Sequence, residues 1–323
     1  MSQSPSHVVG IDLGGTKIRI ALVTRLGKLT AAMTLATHAE EGPDAVLGHI
    51  RDGVEELLQR TGLGRESLAG AGLGAPGPLD VNRGIVSVLP NLPGWQHFPL
   101  RERLSRALRM PATLGNDANV AALGEHRYGA GRGVSDIVYV SLGTGVGGGI
   151  IVNNQLCVGV SGAAGEIGHI IMNPEGPLCS CGLHGCIEAY CSGHGLERLA
   201  TQAVSSVGQT TMAALAAQEG GAITTRIIEQ AARDGDTVAL ELLAQAADYL
   251  GWGLVSLIHI FNPNLVLFGG GLVALSDLMI EPAIALAKEQ VFAQHRQGLR
   301  FDYAGLGEDA GVLGAATLAL DAF

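Results

Sequence analysis

Glu166-Ile167-Gly168-His169 is followed by Cys179-Ser180-Cys181-Gly182-Leu183-His184-Gly185-Cys186-Ile187-Glu188. Three thiols and an imidazole therefore fall within eighteen residues, 169 to 186, with carboxylates on both sides. Zinc takes thiolate and imidazole readily, and Cys-x-Cys-x4-Cys plus one histidine completes a tetrahedral shell. With no open position such a site is structural, and it would pin a loop containing glycine and proline. The plain alternative is that these cysteines are buried small apolar residues. Four potential ligands in one short window weigh against it. His169 is the preferred fourth ligand and His184 the alternate, because Glu166 and Gly168 place His169 beside polar chemistry. If one ring nitrogen of His169 binds zinc, the other is a directed donor. The metal would then shape a substrate pocket without touching the reaction.

Two Gly-rich turns suggest what that pocket serves. Backbone N–H groups in such turns form nests for anions, and threonine hydroxyls add donors. Gly14-Gly15-Thr16 and Gly143-Thr144-Gly145 are both of this kind. Asp12, at the end of a strand, is placed to hold magnesium beside a polyphosphate, directly or through water. Lys17 offers a charge partner. Neither turn is a Walker A loop, since each joins two strands instead of opening a helix. Gly269-Gly270-Gly271 offers a third close approach, suited to a nucleoside. Asn116-Asp117 stands where a strand gives way to a helix. An N-cap alone explains such a pair; the chemical reading is a carboxylate able to accept a proton from a substrate hydroxyl. A polyol needs fixed donors and acceptors to orient it, and Glu166, His169 and Glu188 supply them.

These groups need a scaffold of strands and helices. Residues 7–23 read as strand, turn, strand, the second arm alternating Ile18, Ile20 and Leu22 against Lys17, Arg19 and Ala21 as a half-buried strand does. Residues 44–60 carry a helical apolar stripe through Val46, Ile50, Val54, Leu57 and Leu58. Residues 68–73 form a strand that runs into Gly74-Ala75-Pro76-Gly77-Pro78, expected to be irregular. A short strand at 111–114 precedes the helix opened by Asn116-Asp117. Residues 137–152 then repeat the opening pattern, with Asp12 over Ser141, Leu13 over Leu142, Gly14 over Gly143 and Gly15 over Thr144. Such a repeat implies two similar halves. Helices fill most of 187–261, a buried strand covers 264–268, and a final helix begins near Gly311.

The totals bound the class. A chain of 323 residues is long enough for two packed domains, and 47% hydrophobic with 15% charged residues describes a well-buried globular protein. A formal net charge of -10 argues against nucleic-acid or anionic-membrane partners, because no basic stripe is available to neutralise phosphates. Five cysteines, three in the metal loop, suit a reducing compartment better than a disulfide framework. The first residues lack a signal-peptide pattern, and the apolar run at 254–275 is broken by His259, Asn262, Pro263 and Asn264. A cytoplasmic location is expected.

Taken with Gly74-Ala-Pro-Gly77-Pro78, Pro90-Asn91-Leu-Pro-Gly94 and Asn116-Asp117-Ala-Asn119, these motifs resemble the ROK family of sugar kinases and repressors, within the actin-like ATPase superfamily. The likeness is strongest to its bacterial ATP-dependent glucokinases. It implies an α/β protein of two actin-like (ribonuclease H-like) domains with an interdomain cleft, residues 1–116 with 308–323 and residues 117–307. It implies ATP-dependent phosphorylation of the glucose 6-hydroxyl in glycolysis, with Asp117 as base. Gly77, Asn91, Asn116, Asp117, Glu166, His169 and Glu188 would contact the sugar. Asp12, Gly14, Gly15, Thr16, Lys17, Gly143, Thr144, Gly145, Gly270 and Gly271 would hold ATP and Mg2+. His169, Cys179, Cys181 and Cys186 would hold a structural Zn2+. A homodimer or homotetramer is the implied assembly. One departure stands out: relatives commonly have Glu before the Asn-Asp pair, and this chain has Gly115. The alternatives are another hexose or N-acetylhexosamine as substrate (N-acetylglucosamine, N-acetylmannosamine, fructose) and a sugar-responsive repressor. The eleven residues before Asp12 are too few for the repressors' helix-turn-helix module. A zinc-ribbon interaction protein would need neither Asp12 nor Asp117.

Overall fold

The structure is a computed structural model describing residues 5–87 and 94–323. Around the first Gly turn run β1 (His7–Leu13) and β2 (Lys17–Thr24), extended by β3 (Leu29–Ala36). Helix α1 (Pro43–Thr61) has proline in its first turn and the left-handed Gly62 at its end, the positions each residue suits best. Then follow β4 (Leu68–Ala75), the small hairpin β5 (Leu79–Asp80) and β6 (Ile85–Val86), α2 (Leu100–Leu108), β7 (Ala112–Asn116) and α3 (Asp117–Tyr128). The first sheet has the order β3-β2-β1-β4-β7, with β1 antiparallel to β2 and parallel to β4.

The pattern then recurs with β8 (Ile137–Leu142), β9 (Val146–Val152) and β10 (Gln155–Leu156). Helices α4 (Ile187–Cys191), α5 (Gly193–Val207), α6 (Thr211–Gln218), α7 (Thr225–Arg233) and α8 (Thr237–Phe261) come next. The chain closes with β11 (Leu265–Gly269), α9 (Glu281–Gln290), α10 (Ala293–Arg296), β12 (Arg300–Tyr303) and α11 (Asp309–Ala322). The second sheet has the order β10-β9-β8-β11-β12, the first order with β8 in the place of β1. The repeat seen in the sequence is thus a repeat of strand arrangement. Among the described residues no helix is long and apolar enough to cross a membrane.

Two cores lie on the two faces of the first sheet. Val9, Ile11, Leu13, Ile18, Ile20 and Leu22 pack with Val46, Ile50, Val54 and Leu57 of α1. Each such side chain, fully buried, contributes about 1.5–3 kcal/mol. On the other face Val8, Ala21 and Val23 meet Val312, Leu313, Ala316 and Ala319 of α11. Here β2 departs from expectation, since it is half-buried only at its start. Helix α11 arrives from the far end of the chain and covers the face that carries Ala21 and Val23. Its backbone comes so close that a Cβ on Gly10 would stand 2.0 Å from the Val312 carbonyl oxygen, and one on Gly72 1.8 Å from that of Ala315.

Gly74 and Ala75, expected to be irregular, instead complete β4 by pairing with Gly115 and Asn116. The irregular segment begins at Pro76, which has no N–H to continue the ladder.

The chain forms two compact units, Met1–Ile137 with Gly149–Gly165 and Ala304–Phe323, and Val138–Gly148 with Glu166–Tyr303. Packing therefore groups α3 with the first sheet, where the expected boundary at 116/117 placed it at the head of the second domain. The reason is the crossing of α3 and α11. A Cβ on Gly124 would meet the Ala310 carbonyl oxygen at 2.3 Å, and one on Gly314 would meet that of Val120 at 1.6 Å.

Candidate functional site

In the first unit, Asp12 is the last but one residue of β1, beside the turn formed by Gly14, Gly15 and Thr16. The Gly14 N–H donates to the Lys17 carbonyl at 2.9 Å, closing the turn. A buried hydroxyl secures it: Thr37 Oγ1 donates to the Gly14 carbonyl at 2.8 Å, and the Thr37 N–H to that of Thr16 at 3.0 Å. Lys17 Nζ pairs with Glu308 at 2.6 Å, and Arg19 Nε donates to Asp309 at 3.0 Å. A Cβ on Gly311 would stand 2.4 Å from Asp12 Oδ2, so α11 begins directly against this carboxylate. Burial pushes the Asp12 carboxyl above its ordinary range, against the lowering influence of Lys17 and Arg19. A partly buried carboxylate at a strand end, beside a backbone nest, suits a bound divalent cation, whose charge offsets that penalty.

Asn116 and Asp117 mark the change from β7 to α3. Asn116 is the N-cap, its side-chain oxygen accepting from the N–H of Ala118 at 3.0 Å and of Asn119 at 3.2 Å. Asp117 is the first helical residue, and its Oδ1 accepts from the Ala118 N–H at 2.8 Å. A carboxylate is favoured there by the helix dipole. Gly115, the departure noted above, has a packing cause. A Cβ there would meet Val120 Cγ1 at 2.6 Å and Leu318 Cδ1 at 2.8 Å. Gly77 lies half-buried between β4 and β5, and Asn91 falls outside the described residues.

In the second unit, ligand atoms of His169, Cys179, Cys181 and Cys186 all lie within 4.8 Å of one another. A tetrahedral zinc shell, with Zn–S about 2.3 Å and Zn–N about 2.0 Å, puts two sulfurs about 3.8 Å apart and sulfur about 3.5 Å from nitrogen. Cys181 and Cys186 sulfurs are 3.7 Å apart, and Cys179 Sγ is 3.6 Å from His169 Nδ1. The donor set and its spacing fit zinc. His184 is engaged elsewhere, its Nδ1 2.9 Å from the Gly176 carbonyl oxygen. Burial first, and hydrogen bonding to Cys181 next, push the Cys186 thiol up to about 12, and burial also raises Cys179. A divalent cation reverses that preference by binding the thiolates. The other ring nitrogen of His169, Nε2, lies 4.0 Å from Glu166 Oε2.

The second Gly turn stands beside this cluster. The Gly143 N–H donates to the Gly145 carbonyl at 3.0 Å, and Val146 N–H donates to Glu188 Oε2 at 3.0 Å. Gly270, with φ of 88°, packs against the end of β8: a Cβ would lie 2.2 Å from the Leu142 carbonyl oxygen. Gly271 has open space around it.

The sequence pattern of the ROK family matches residues 8–322. The chain belongs to the ROK family. A glucokinase from Halalkalibacterium halodurans is 36% identical, over 96% of this chain and 94% of that protein. Among solved structures, the ROK hexokinase from Thermus thermophilus is 36% identical with a TM-score of 0.81, covering 98% of this chain and 100% of its own. A ROK family glucokinase from Streptomyces griseus, solved in complex with glucose and AMPPNP, is 34% identical with a TM-score of 0.79, covering 98% and 99%. The α/β architecture is that of the actin-like ATPases.

Within the first unit of this ROK chain the structure gathers Asp12 and its turn with α11, and sets Asn116 and Asp117 at the head of α3. Within the second it gathers the cysteines, His169, Glu188 and the 143–145 turn. Motif reading missed three supports. Thr37 clamps the first turn. Arg198 on α5 donates to the carbonyls of Leu178 and Ala189, on either side of the cysteines. Glu125, fully buried on α3, accepts from the N–H groups of Ala130, Gly305 and Leu306. Thr37 and Arg198 carry no signal in the sequence, but a glutamate one turn from the end of a helix rich in small apolar residues does.

Proposed function

We propose that the protein is an ATP- and magnesium-dependent glucokinase, transferring the γ-phosphoryl group to the 6-hydroxyl of glucose. The observation that carries this reading is the likeness to glucokinases along nearly the whole chain, one of which was solved with glucose and AMPPNP. Asp117 takes the proton of the 6-hydroxyl as that oxygen attacks phosphorus. Asn116 and Gly77, with Asn91, Glu166, His169 and Glu188, orient the sugar. The turns at 14–16 and 143–145 receive phosphate oxygens on backbone N–H groups, and Gly270 and Gly271 leave room for the nucleoside. Magnesium, held by Asp12 directly or through water, supplies charge neutralisation when bound. Zinc is held by His169, Cys179, Cys181 and Cys186 and keeps the loop ordered. Positioning and electrostatics of this kind provide most of the acceleration in phosphoryl transfer.

A coupled assay with ATP across glucose, fructose, N-acetylglucosamine and N-acetylmannosamine tests the substrate. Glucose should give the highest kcat/KM; a higher value for any other sugar rejects the assignment. Asp117→Asn should bind glucose nearly as well while kcat falls by about 10²–10⁴-fold, the usual contribution of a general base. Substantial turnover in that variant removes Asp117 from the role.

A further inference from the structure

Helix α4 touches both the sulfur cluster and the second Gly turn. Cys186, a member of the cluster, is its N-cap residue. Glu188 lies in its first turn, and its two oxygens face different ways. Oε1 accepts from Ser180 Oγ at 2.6 Å and from Cys179 Sγ at 3.5 Å. Oε2 accepts from the Val146 N–H at 3.0 Å, immediately after the 143–145 turn. Gly145 has no room for a side chain, since a Cβ would lie 2.6 Å from that same Oε2. Past the other end of α4, the Gly193 N–H donates to the Gly143 carbonyl at 2.8 Å, and the His194 N–H to that of Thr144 at 3.3 Å. The turn is therefore held at Val146 by Glu188 of α4, a five-residue helix that starts inside the cluster, and at Gly143 and Thr144 by the first residues of α5, which follows it.

We propose that α4, through Glu188, couples the two sites, so that metal on the cysteine loop and nucleotide on the 143–145 turn bind cooperatively. The inference rests on the functional reading above and adds a linkage to it. Metal fixes Cys179 and Cys181, which flank Ser180, and Cys186, which caps α4. Glu188 is then held against Val146, and the turn is ordered before phosphate arrives, so binding no longer has to order it. The coupling is separate from any sugar contact of Glu188. It is also reciprocal: zinc must tighten nucleotide by the factor with which nucleotide tightens zinc.

The test uses zinc-loaded and zinc-stripped protein without sugar. Calorimetry gives the Kd of AMPPNP with magnesium in each form. Competition with a chromophoric chelator gives the zinc Kd with and without saturating AMPPNP. This second arm starts from the loaded protein, so it stands even if the stripped protein unfolds. Zinc should tighten AMPPNP by about fivefold or more, within the usual range of coupled sites, and AMPPNP should tighten zinc equally. Glu188→Ala removes both acceptors, so neither Val146 nor Ser180 is held. It should keep one zinc per chain and still bind AMPPNP, with the factor falling toward one. A factor of one in the wild type, with both ligands bound, overturns the coupling. The full wild-type factor in Glu188→Ala overturns the role of Glu188. A wild-type protein that binds no zinc or no AMPPNP overturns the functional reading, and the coupling with it.

Discussion

Glu125→Gln should loosen the segment 305–306 while leaving the rest of the first unit folded. Glu125 is fully buried, and its carboxylate serves three backbone donors. Oε2 accepts from Ala130 at 2.9 Å and Gly305 at 3.1 Å, and Oε1 accepts from Leu306 at 2.8 Å. Glutamine preserves the shape, but one oxygen becomes an NH2 group that cannot accept. The least costly orientation keeps the amide oxygen where two donors converge and turns the NH2 toward Leu306. One hydrogen bond to a charged acceptor is lost, worth about 1.5–3 kcal/mol, and a buried donor is left facing another donor. We take about 3 kcal/mol for the combined local effect. At about 1.4 kcal/mol per decade, that is roughly a 150-fold change in opening equilibrium. Native-state hydrogen exchange reads this directly. The Leu306 amide should exchange on the order of 100 times faster, with Gly305 less affected. Amides in α1 should keep their protection. Because α3 begins with Asp117, kcat should fall more than the glucose KM rises. If Leu306 in a folded Glu125→Gln protein kept its protection within about threefold, the carboxylate would not be what fixes this segment.

Asp12→Asn should raise the Tm at pH 7 while MgATP turnover falls. Burial raises the Asp12 carboxyl, and a raised carboxyl contributes stability below its unfolded pKa that is lost as pH rises through the folded one. The ionised form therefore costs stability at neutral pH, and the gain in the variant should vanish below about pH 4; a lower Tm at pH 7 would count against this. Gly314→Ala puts a methyl 1.6 Å from the Val120 carbonyl oxygen. It should destabilise by about 1–3 kcal/mol or more in urea unfolding and lower kcat, since α3 must move. Cys181→Ser should release about one zinc per chain by metal analysis, with lower sugar affinity and stability. His184→Ala should retain the metal where His169→Ala loses it; the reverse outcome would exchange the two histidines.

Much of this arrangement was legible in the sequence because it depends on local chemistry. The two strand-turn-strand copies, the α1 stripe and the Asn116 cap each follow from residues that are neighbours in the chain. The cysteine spacing pointed to a cluster, although the choice between His169 and His184 needed coordinates. What escaped reading depends on segments far apart in sequence. Ala21 and Val23 are buried by α11, which lies about 290 residues later. Gly115 seemed a departure from its relatives, yet it clears space for Val120 and for Leu318 from the same distant helix. The boundary near 116 was placed by the end of a strand. The glycine-lined crossing of α3 on α11 needs both partners before it can be seen.

The repeat also shows what duplication of a turn does not duplicate. Both turns join the corresponding pair of strands in the same strand order, but their supports come from outside the repeated segments. The first is held by Thr37 from within, and its neighbouring Lys17 and Arg19 pair with Glu308 and Asp309 at the surface. Exposed ion pairs such as that of Lys17 with Glu308 are worth about 0–1 kcal/mol and weaken with salt. The second is held by two backbone hydrogen bonds from the start of α5 and by the Glu188 carboxylate of α4. Salt should therefore disturb the surroundings of the first turn more than those of the second. The cysteine loop is then more than a clip on a flexible segment. In the coupling proposed above it would anchor α4, whose Glu188 holds Val146 at the end of the second turn.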